Sequence, residues 1–241
     1  LKRRIITTSD GSKTIQIEDW NEQYHSIHGA IQEAEHVFIK HGLHFFCNAG
    51  NSSYGSQDHQ NAFVEVVDHN KLSILELGFG TGLNAFLTLI EAEKLKQPIH
   101  YMGIEAYPVR NAELEQLNYA SLISANHERI FHELHKVPWE ENHQISSYFQ
   151  LAKQKKLFKD IKTKDQYDII YFDAFGPRVQ PELWTEAMFK LMFDVLRENG
   201  ILVTYSAKGS VRRAMQSVGF DVERLPGPPG KREMLRAHKG S

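Results

Sequence analysis

The chain has 241 residues, enough for one α/β domain with extensions and for a sizeable core without disulfides or metals. Its 41% hydrophobic and 24% charged residues exclude a disordered or fibrous chain, and a formal net charge of -2 excludes a uniformly basic nucleic-acid binder. A local basic patch stays open, because binding feels the near field. The single cysteine, Cys47, rules out an intramolecular disulfide and fits a reducing, cytoplasmic location. No apolar run approaches a membrane span, and the basic start Leu1-Lys2-Arg3-Arg4-Ile5 lacks the apolar core of a signal peptide, so no membrane partner is expected.

Taken in chain order, residues 4–17 predict a hairpin, with β-prone Ile5-Ile6-Thr7-Thr8 and Thr14-Ile15-Gln16-Ile17 flanking Asp10-Gly11. From Ser26 the period becomes helical through Ile27, Ala30, Ile31, Ala34, Val37 and Phe38, with Gly42 as the cap. Gln57 and Asp58, with Asn51-Ser52-Ser53-Tyr54, suggest an ordered loop over the site that follows. Ser73-Ile74-Leu75-Glu76-Leu77 is a buried-type strand, then come three glycines, then a helix with Leu83, Phe86, Leu87 and Ile90 on one face. His100 to Ile104 is the next strand, ending at Glu105-Ala106. Residues 107–147 predict an inserted helical region. Phe149 to Phe158 is a weaker strand, interrupted by lysines. Tyr167 to Phe172 is a strand ending at Asp173, Trp184 to Glu198 a helix, and Gly200 to Tyr205 a strand. Val211 to Val218 is helical, and a final strand pair turns at Pro226-Gly227-Pro228-Pro229-Gly230. Alternating strands and helices imply a mainly parallel sheet with an antiparallel terminal hairpin. The expected division is 1–68, an N-terminal hairpin and helical extension, and 69–241, the sheet domain.

The turn Glu76-Leu77-Gly78-Phe79-Gly80-Thr81-Gly82, followed by Asn84, lets the backbone approach a ligand at the carboxyl ends of the strands. Leu83 stands where a dinucleotide fingerprint needs its third glycine, and no Lys-Ser/Thr pair completes a P-loop. Gly78-x-Gly80-x-Gly82 is the spacing common in S-adenosylmethionine enzymes. Glu105 can accept hydrogen bonds from two ribose hydroxyls; the plainer reading is an exposed strand-end acid. Asp173-Ala174-Phe175-Gly176-Pro177 resembles the Asp/Asn-Pro-Pro-aromatic loop of amino-methyltransferases. A carboxylate there can orient an amine and take its proton, and an aromatic ring can stack on a flat base. The plainer reading makes Asp173 a turn cap and Phe175 a core residue. The dense histidines His25, His28, His36, His41 and His44 match no zinc spacing and are expected to be structural or on the surface.

Four blocks carry a family resemblance. They are Tyr24-His25-Ser26-Ile27-His28-Gly29-Ala30 running on to His36-Val37-Phe38-Ile39; Gly78 to Asn84; Phe172 to Pro177 with Pro181-Glu182-Leu183-Trp184; and Tyr205-Ser206-Ala207-Lys208-Gly209 with Val211-Arg212-Arg213, then Gly230-Lys231-Arg232-Glu233-Met234. In this order they resemble the bacterial tRNA 5-methylaminomethyl-2-thiouridine methyltransferases, which stand alone (MnmD) or form the N-terminal half of a bifunctional protein (MnmC). The resemblance implies a Rossmann-like class I S-adenosylmethionine-dependent methyltransferase with a seven-stranded sheet. It implies methyl transfer to the aminomethyl nitrogen of the tRNA wobble uridine, without metal or flavin, by a stand-alone enzyme with no obligatory protein partner. Cofactor contacts are expected from Glu76, Gly78, Phe79, Gly80, Thr81, Gly82, Asn84, Glu105, Ala106 and Asp173. Lys159-Asp160 stands where the family suggests a Gly-Asp-like pair, making Asp160 the candidate for the adenine amino group. Asp173 and Phe175 are the catalytic candidates. Pro177, Lys208, Arg212, Arg213, Lys231 and Arg232 are expected to meet the tRNA anticodon region, with Arg178 and Arg236 adding to the basic cluster. The alternatives are an amine methyltransferase acting on a small molecule or protein, and a non-catalytic cofactor- or RNA-binding module.

Overall fold

β1 (Arg3–Thr7) and β2 (Lys13–Ile17) form the expected hairpin, with Ile5 opposite Ile15, and β3 (Glu22–Gln23) adds a short third strand. The structure is a computed structural model and describes residues 2–52 and 71–240. Asp10 does more than turn the hairpin. Its Oδ1 accepts from Thr8 and Ser12, while its Oδ2 accepts the backbone N–H groups of Ile31 and Gln32, each at 3.1 Å. Those amides open the next helix and have no intrahelical partner, so one carboxylate ties the hairpin to the helix start.

That helix does not stop at Gly42. α1 (Ala30–Ala34) runs through a wide π-type stretch, Glu35–His44, into α2 (Phe45–Ser52). Gly42 is buried in mid-run, and a Cβ there would lie 3.1 Å from Tyr171 and 3.2 Å from Val203. The glycine lets the helix lie close on the sheet and is not a cap. Ser53, Tyr54, Gln57, Asp58 and the 68/69 boundary lie outside the described residues.

β4 (Leu72–Leu77), α3 (Leu83–Leu95) and β5 (Ile99–Ile104) follow as strand, turn, helix, strand. Three short helices, α4 (Asn111–Leu114), α5 (Tyr119–Ile123) and α6 (Glu128–Lys136), fill the crossover. β6 (Asn142–Ser146), β7 (Phe149–Gln154), β8 (Tyr167–Phe172), α7 (Glu186–Val195), β9 (Leu196–Thr204), α8 (Gly209–Ser217), β10 (Phe220–Pro226) and β11 (Glu233–Lys239) complete the chain. The main sheet has the order β10-β11-β9-β8-β4-β5-β7-β6. Its centre is parallel and its terminal hairpin antiparallel, as expected. Among the described residues it has eight strands rather than seven. The extra one, β6, ends the crossover expected to be helical and pairs antiparallel with β7. Its sequence, Asn-His-Gln-Ile-Ser, is a polar edge strand with one partner, which carries little hydrophobic alternation.

α3 and the π-type stretch cover one face of the sheet around Ile74, Phe86 and Tyr171. α7 and α8 cover the other around Leu75, Phe172 and Leu202. β7 is a full member despite its lysines. Lys153 is 1% exposed, and its Nζ donates to Leu134 O at 2.8 Å and His135 O at 3.0 Å. Carbonyls in the last turn of α6 lack intrahelical partners, so an ammonium there is welcome. Burial still lowers its pKa to about 8. Among the described residues, no helix is long and apolar enough to cross a membrane. Gly42→Leu is expected to cost about 1–3 kcal/mol by overpacking the helix–sheet contact, read as a lower denaturation midpoint in urea.

Candidate active site

β4 sits between β5 and β8, and the crossovers from its two sides run to opposite edges of the sheet. Such a reversal opens a crevice at the carboxyl ends of the strands. A cavity of ≈ 1250 Å³ lies there. Single small ligands occupy about 300–1,000 Å³, so there is space for two reactants.

The turn after β4 forms its floor. Gly78 has φ +93, and a Cβ on it would stand 2.6 Å from the carbonyl oxygen of Asp173. Only glycine lets the ends of β4 and β8 approach this closely. Gly78 and Phe79 both donate backbone N–H to Ile104 O, at 3.0 and 3.1 Å. Glu105 holds the next part of the turn, its carboxylate accepting from Gly80 N at 3.1 Å and Tyr107 N at 2.9 Å.

Strand alternation sets Glu76 beside Ile74 on the buried face under α3, where it is 1% exposed. Its Oε1 accepts from Asn84 Nδ2 at 2.9 Å, and the Tyr101 hydroxyl lies beside the carboxyl. Burial, then the nearby Asp173, push its pKa well above the usual carboxylate range, favouring the neutral acid. Asn84 Nδ2 also donates to Asp173 Oδ2 at 2.8 Å, so one amide group serves both acids. Burial, then Glu33, raise Asp173 to about 7, against the pull of Asn84 and Lys231.

The loop after Asp173 is fixed from two sides. Tyr205 Oη donates to Ala174 O at 2.8 Å, and Trp184 Nε1 donates to Phe175 O at 2.8 Å. The Phe175 ring meets Trp20 and Tyr24 edge-on, with centroids at 5.5 and 5.0 Å. Arg178 clasps the same segment, donating to Trp20 O, Asn21 O and the Glu22 carboxylate. The N-terminal extension is therefore one wall of the cavity. His25 is buried behind the turn and shares a 2.7 Å hydrogen bond with Thr81 Oγ1; burial lowers its pKa to about 4, so it is neutral.

The cavity gathers most of the expected residues: Glu76, Gly78, Phe79, Gly80, Thr81, Asn84, Glu105, Ala106, Asp173 and Phe175 all line it. Gly82 lies behind the turn, where a Cβ would sit 2.8 Å from His135. Asp160 is exposed and absent from the wall; Leu157, Phe158 and Lys159 stand there instead. The 3-10 turn Phe158–Asp160 buries Phe158 and points the acid outward. Pro177, Lys208, Arg212, Arg213 and Arg232 do not line the cavity. Lys231 does, but its Nζ is paired with the buried Glu33 and lies 4.0 Å above the Tyr205 ring, so it faces the cavity and not an outer strip. Arg236 is buried against Glu223. Sequence reasoning missed Tyr24, Glu33 and Tyr205 as cavity residues. Tyr24 and Tyr205 stand in the resemblance blocks, but Glu33 reads as a polar residue of an amphipathic helix, with nothing to mark it.

S-adenosylmethionine carries a sulfonium and an ammonium, and this donor set suits both. Backbone at Gly78 and Gly80 is open to the cavity, Glu105 ends β5 on its wall, and Glu76 and Asp173 place acids at its floor. A Rossmann-like sheet with these features is the architecture of a cofactor-dependent methyltransferase. The chain belongs to the family described as S-adenosyl-L-methionine-dependent methyltransferase, whose model matches residues 118–240. It is similar to the tRNA 5-methylaminomethyl-2-thiouridine biosynthesis bifunctional protein MnmC of Marinomonas sp., with 31% identity over 89% of this chain and 31% of that protein. The protein of the same name from Hydrogenovibrio crunogenus is 26% identical over 97% of this chain and 33% of its own length. The chain thus spans about a third of the curated relatives it matches. Among solved structures, MnmC2 from Aquifex aeolicus superposes with a TM-score of 0.72 at 25% identity, covering 98% of this chain and 69% of that one.

Two outcomes follow from the site geometry. Gly78→Ala forces the β4 and β8 ends apart and is expected to weaken S-adenosylmethionine binding at least about ten-fold by calorimetry, since a backbone clash of this kind shifts the whole turn. Asp173 carries a pKa raised above its unfolded value of 3.8, so the folded state binds more protons between pH 4 and 7 and loses stability as pH rises through that window. Asp173→Asn is therefore expected to melt above wild type at pH 8, with the gap closing by pH 4.

Proposed function

We propose that this chain transfers the methyl group of S-adenosylmethionine to the aminomethyl nitrogen of 5-aminomethyl-(2-thio)uridine at the tRNA wobble position, giving 5-methylaminomethyl-(2-thio)uridine. The observation that carries the reading is Asp173, a buried carboxyl at the end of β8 held by Asn84, in the cavity whose wall also carries Phe175, Trp20 and Tyr24; burial raises its pKa to about 7. The names of the MnmC relatives and the likeness to MnmC2 support the tRNA acceptor.

Gly78, Phe79, Gly80, Thr81, Glu105 and Ala106 would hold the cofactor, with Gly82 shaping the turn from behind. When bound, S-adenosylmethionine supplies a methyl group activated by its sulfonium. Glu76, biased to the acid form, and Asn84 keep the Asp173 carboxylate aimed into the cavity. An alkyl amine is largely protonated at neutral pH, so Asp173 first accepts that proton and then holds an N–H of the free amine. The nitrogen lone pair forms the new N–C bond, the C–S electrons return to sulfur, and the product leaves as a secondary ammonium, while Asp173 returns to water the one proton it took. Phe175 stacks on the uracil ring, which an unpaired anticodon base can present cheaply. Pro177, Lys208, Arg212, Arg213 and Arg232 lie outside the cavity and would meet the tRNA backbone. Sulfonium methyl transfer needs neither flavin nor metal, and a tRNA acceptor places the reaction in the cytoplasm.

The test is methyl transfer into tRNA carrying the aminomethyl precursor, read by nucleoside mass spectrometry; no methylaminomethyl product means another acceptor. Asp173→Asn is expected to bind S-adenosylmethionine nearly as wild type and to lose about a hundred-fold or more in turnover. For the wild type, kcat/KM should rise through about pH 7 as Asp173 loses its proton. Unchanged turnover in Asp173→Asn removes its role as base.

A further inference from the structure

Lys231 carries one of the few positive charges in the cavity wall, and it is held from three directions. Its ammonium is ion-paired with Glu33 of α1, lies 4.0 Å above the Tyr205 ring, and belongs to the turn between β10 and β11. Glu33 is 6% exposed, and its other oxygen accepts the backbone N–H of Ser26 at 2.8 Å. The Tyr205 hydroxyl beneath the ammonium donates to Ala174 O, next to Asp173. An unbroken series of contacts thus runs from the helix and the terminal hairpin to the loop that carries the acceptor-facing acid.

From this arrangement we infer that Glu33 and Lys231 are a positioning pair for Asp173, fixing its loop through Tyr205 and setting its charge by opposing fields. The inference rests on the reading of Asp173 as the base. Asp173 also faces Glu76 of β4 and Asn84 of α3, with Tyr101, Tyr119 and Tyr205 near enough to feel its charge. Burial keeps those three phenols neutral around pH 7, and Asn84 is uncharged. Glu76 is biased to the acid form. The groups left to oppose each other at Asp173 are Glu33, which disfavours its ionised form, and Lys231, which favours it.

The test uses opposite signs. In the cofactor-free protein, the side-chain carboxyl of Asp173 is titrated by carbon NMR and identified by its loss in Asp173→Asn. Lys231→Met should move that titration up by about one pH unit, and Glu33→Gln should move it down by a similar amount. Lys231→Arg, which keeps the charge, should leave it within a few tenths. The acid limb of kcat/KM should follow, with Lys231→Met several-fold slower than wild type at pH 6.5 and recovering by pH 8.5. Shifts in the same direction, or no shift in either variant, overturn the pair. Should Lys231→Met fail to fold, the nearly isosteric Glu33→Gln alone decides the sign. Titrations that move as expected while the rate profile stays fixed uphold the pair and remove the role of Asp173 as base.

Discussion

Carboxylates crowd the carboxyl edge of the sheet, and the structure has to neutralise each of them differently. Glu76 is buried against Asn84 and is biased to the acid form. Glu105 spends its charge on two backbone N–H groups. Glu33 is matched by Lys231. Asp173 alone is left poised near neutrality. A cavity that binds cations needs negative charge, but like charges so close cannot all ionise in a dry place. The division of labour among the four acids resolves that conflict.

The fold supplies this arrangement by bringing backbone together where side chains would not fit. Gly78 admits the carbonyl of Asp173, and Gly42 admits Tyr171 and Val203. The first contact sets the distance between the two strand ends, and the second seats the long helical run on the sheet. α1 then delivers Glu33 and α3 delivers Asn84 to the same cavity. Asp10 pins the start of α1 from the hairpin, so the placement of Glu33 depends on a turn residue more than twenty positions earlier in the chain.

Much of this was legible in the sequence. The glycine spacing, Glu105 at a strand end and the Asp173 loop give the floor of the cavity, because strand ends and tight turns have local signatures. The parallel centre and terminal hairpin follow from buried-type runs punctuated by turn residues. What stayed hidden depends on partners far away in the chain. Lys153 reads as a strand-breaking charge and is a buried cap on the carbonyls of α6. Lys231 reads as one of a basic cluster and faces inward onto Glu33. Asp160 falls near the right strand but on the outer side of its turn. β6 is polar and pairs on one side only, so no period announces it.

The clasp of Arg178 on the backbone of Trp20 and Asn21 has a consequence for how such a chain diversifies. One side of the cavity is built by the sheet, and the other is lined largely by the segment that precedes it. Two different stretches of the chain thus form the two sides of the cavity, joined by the Arg178 guanidinium, the Phe175 ring contacts, the His25–Thr81 hydrogen bond and the Glu33–Lys231 pair. Exchange of the leading stretch would reshape one side of the cavity while the glycine turn after β4 stays in place, so variation in the two stretches changes different walls of the same cavity.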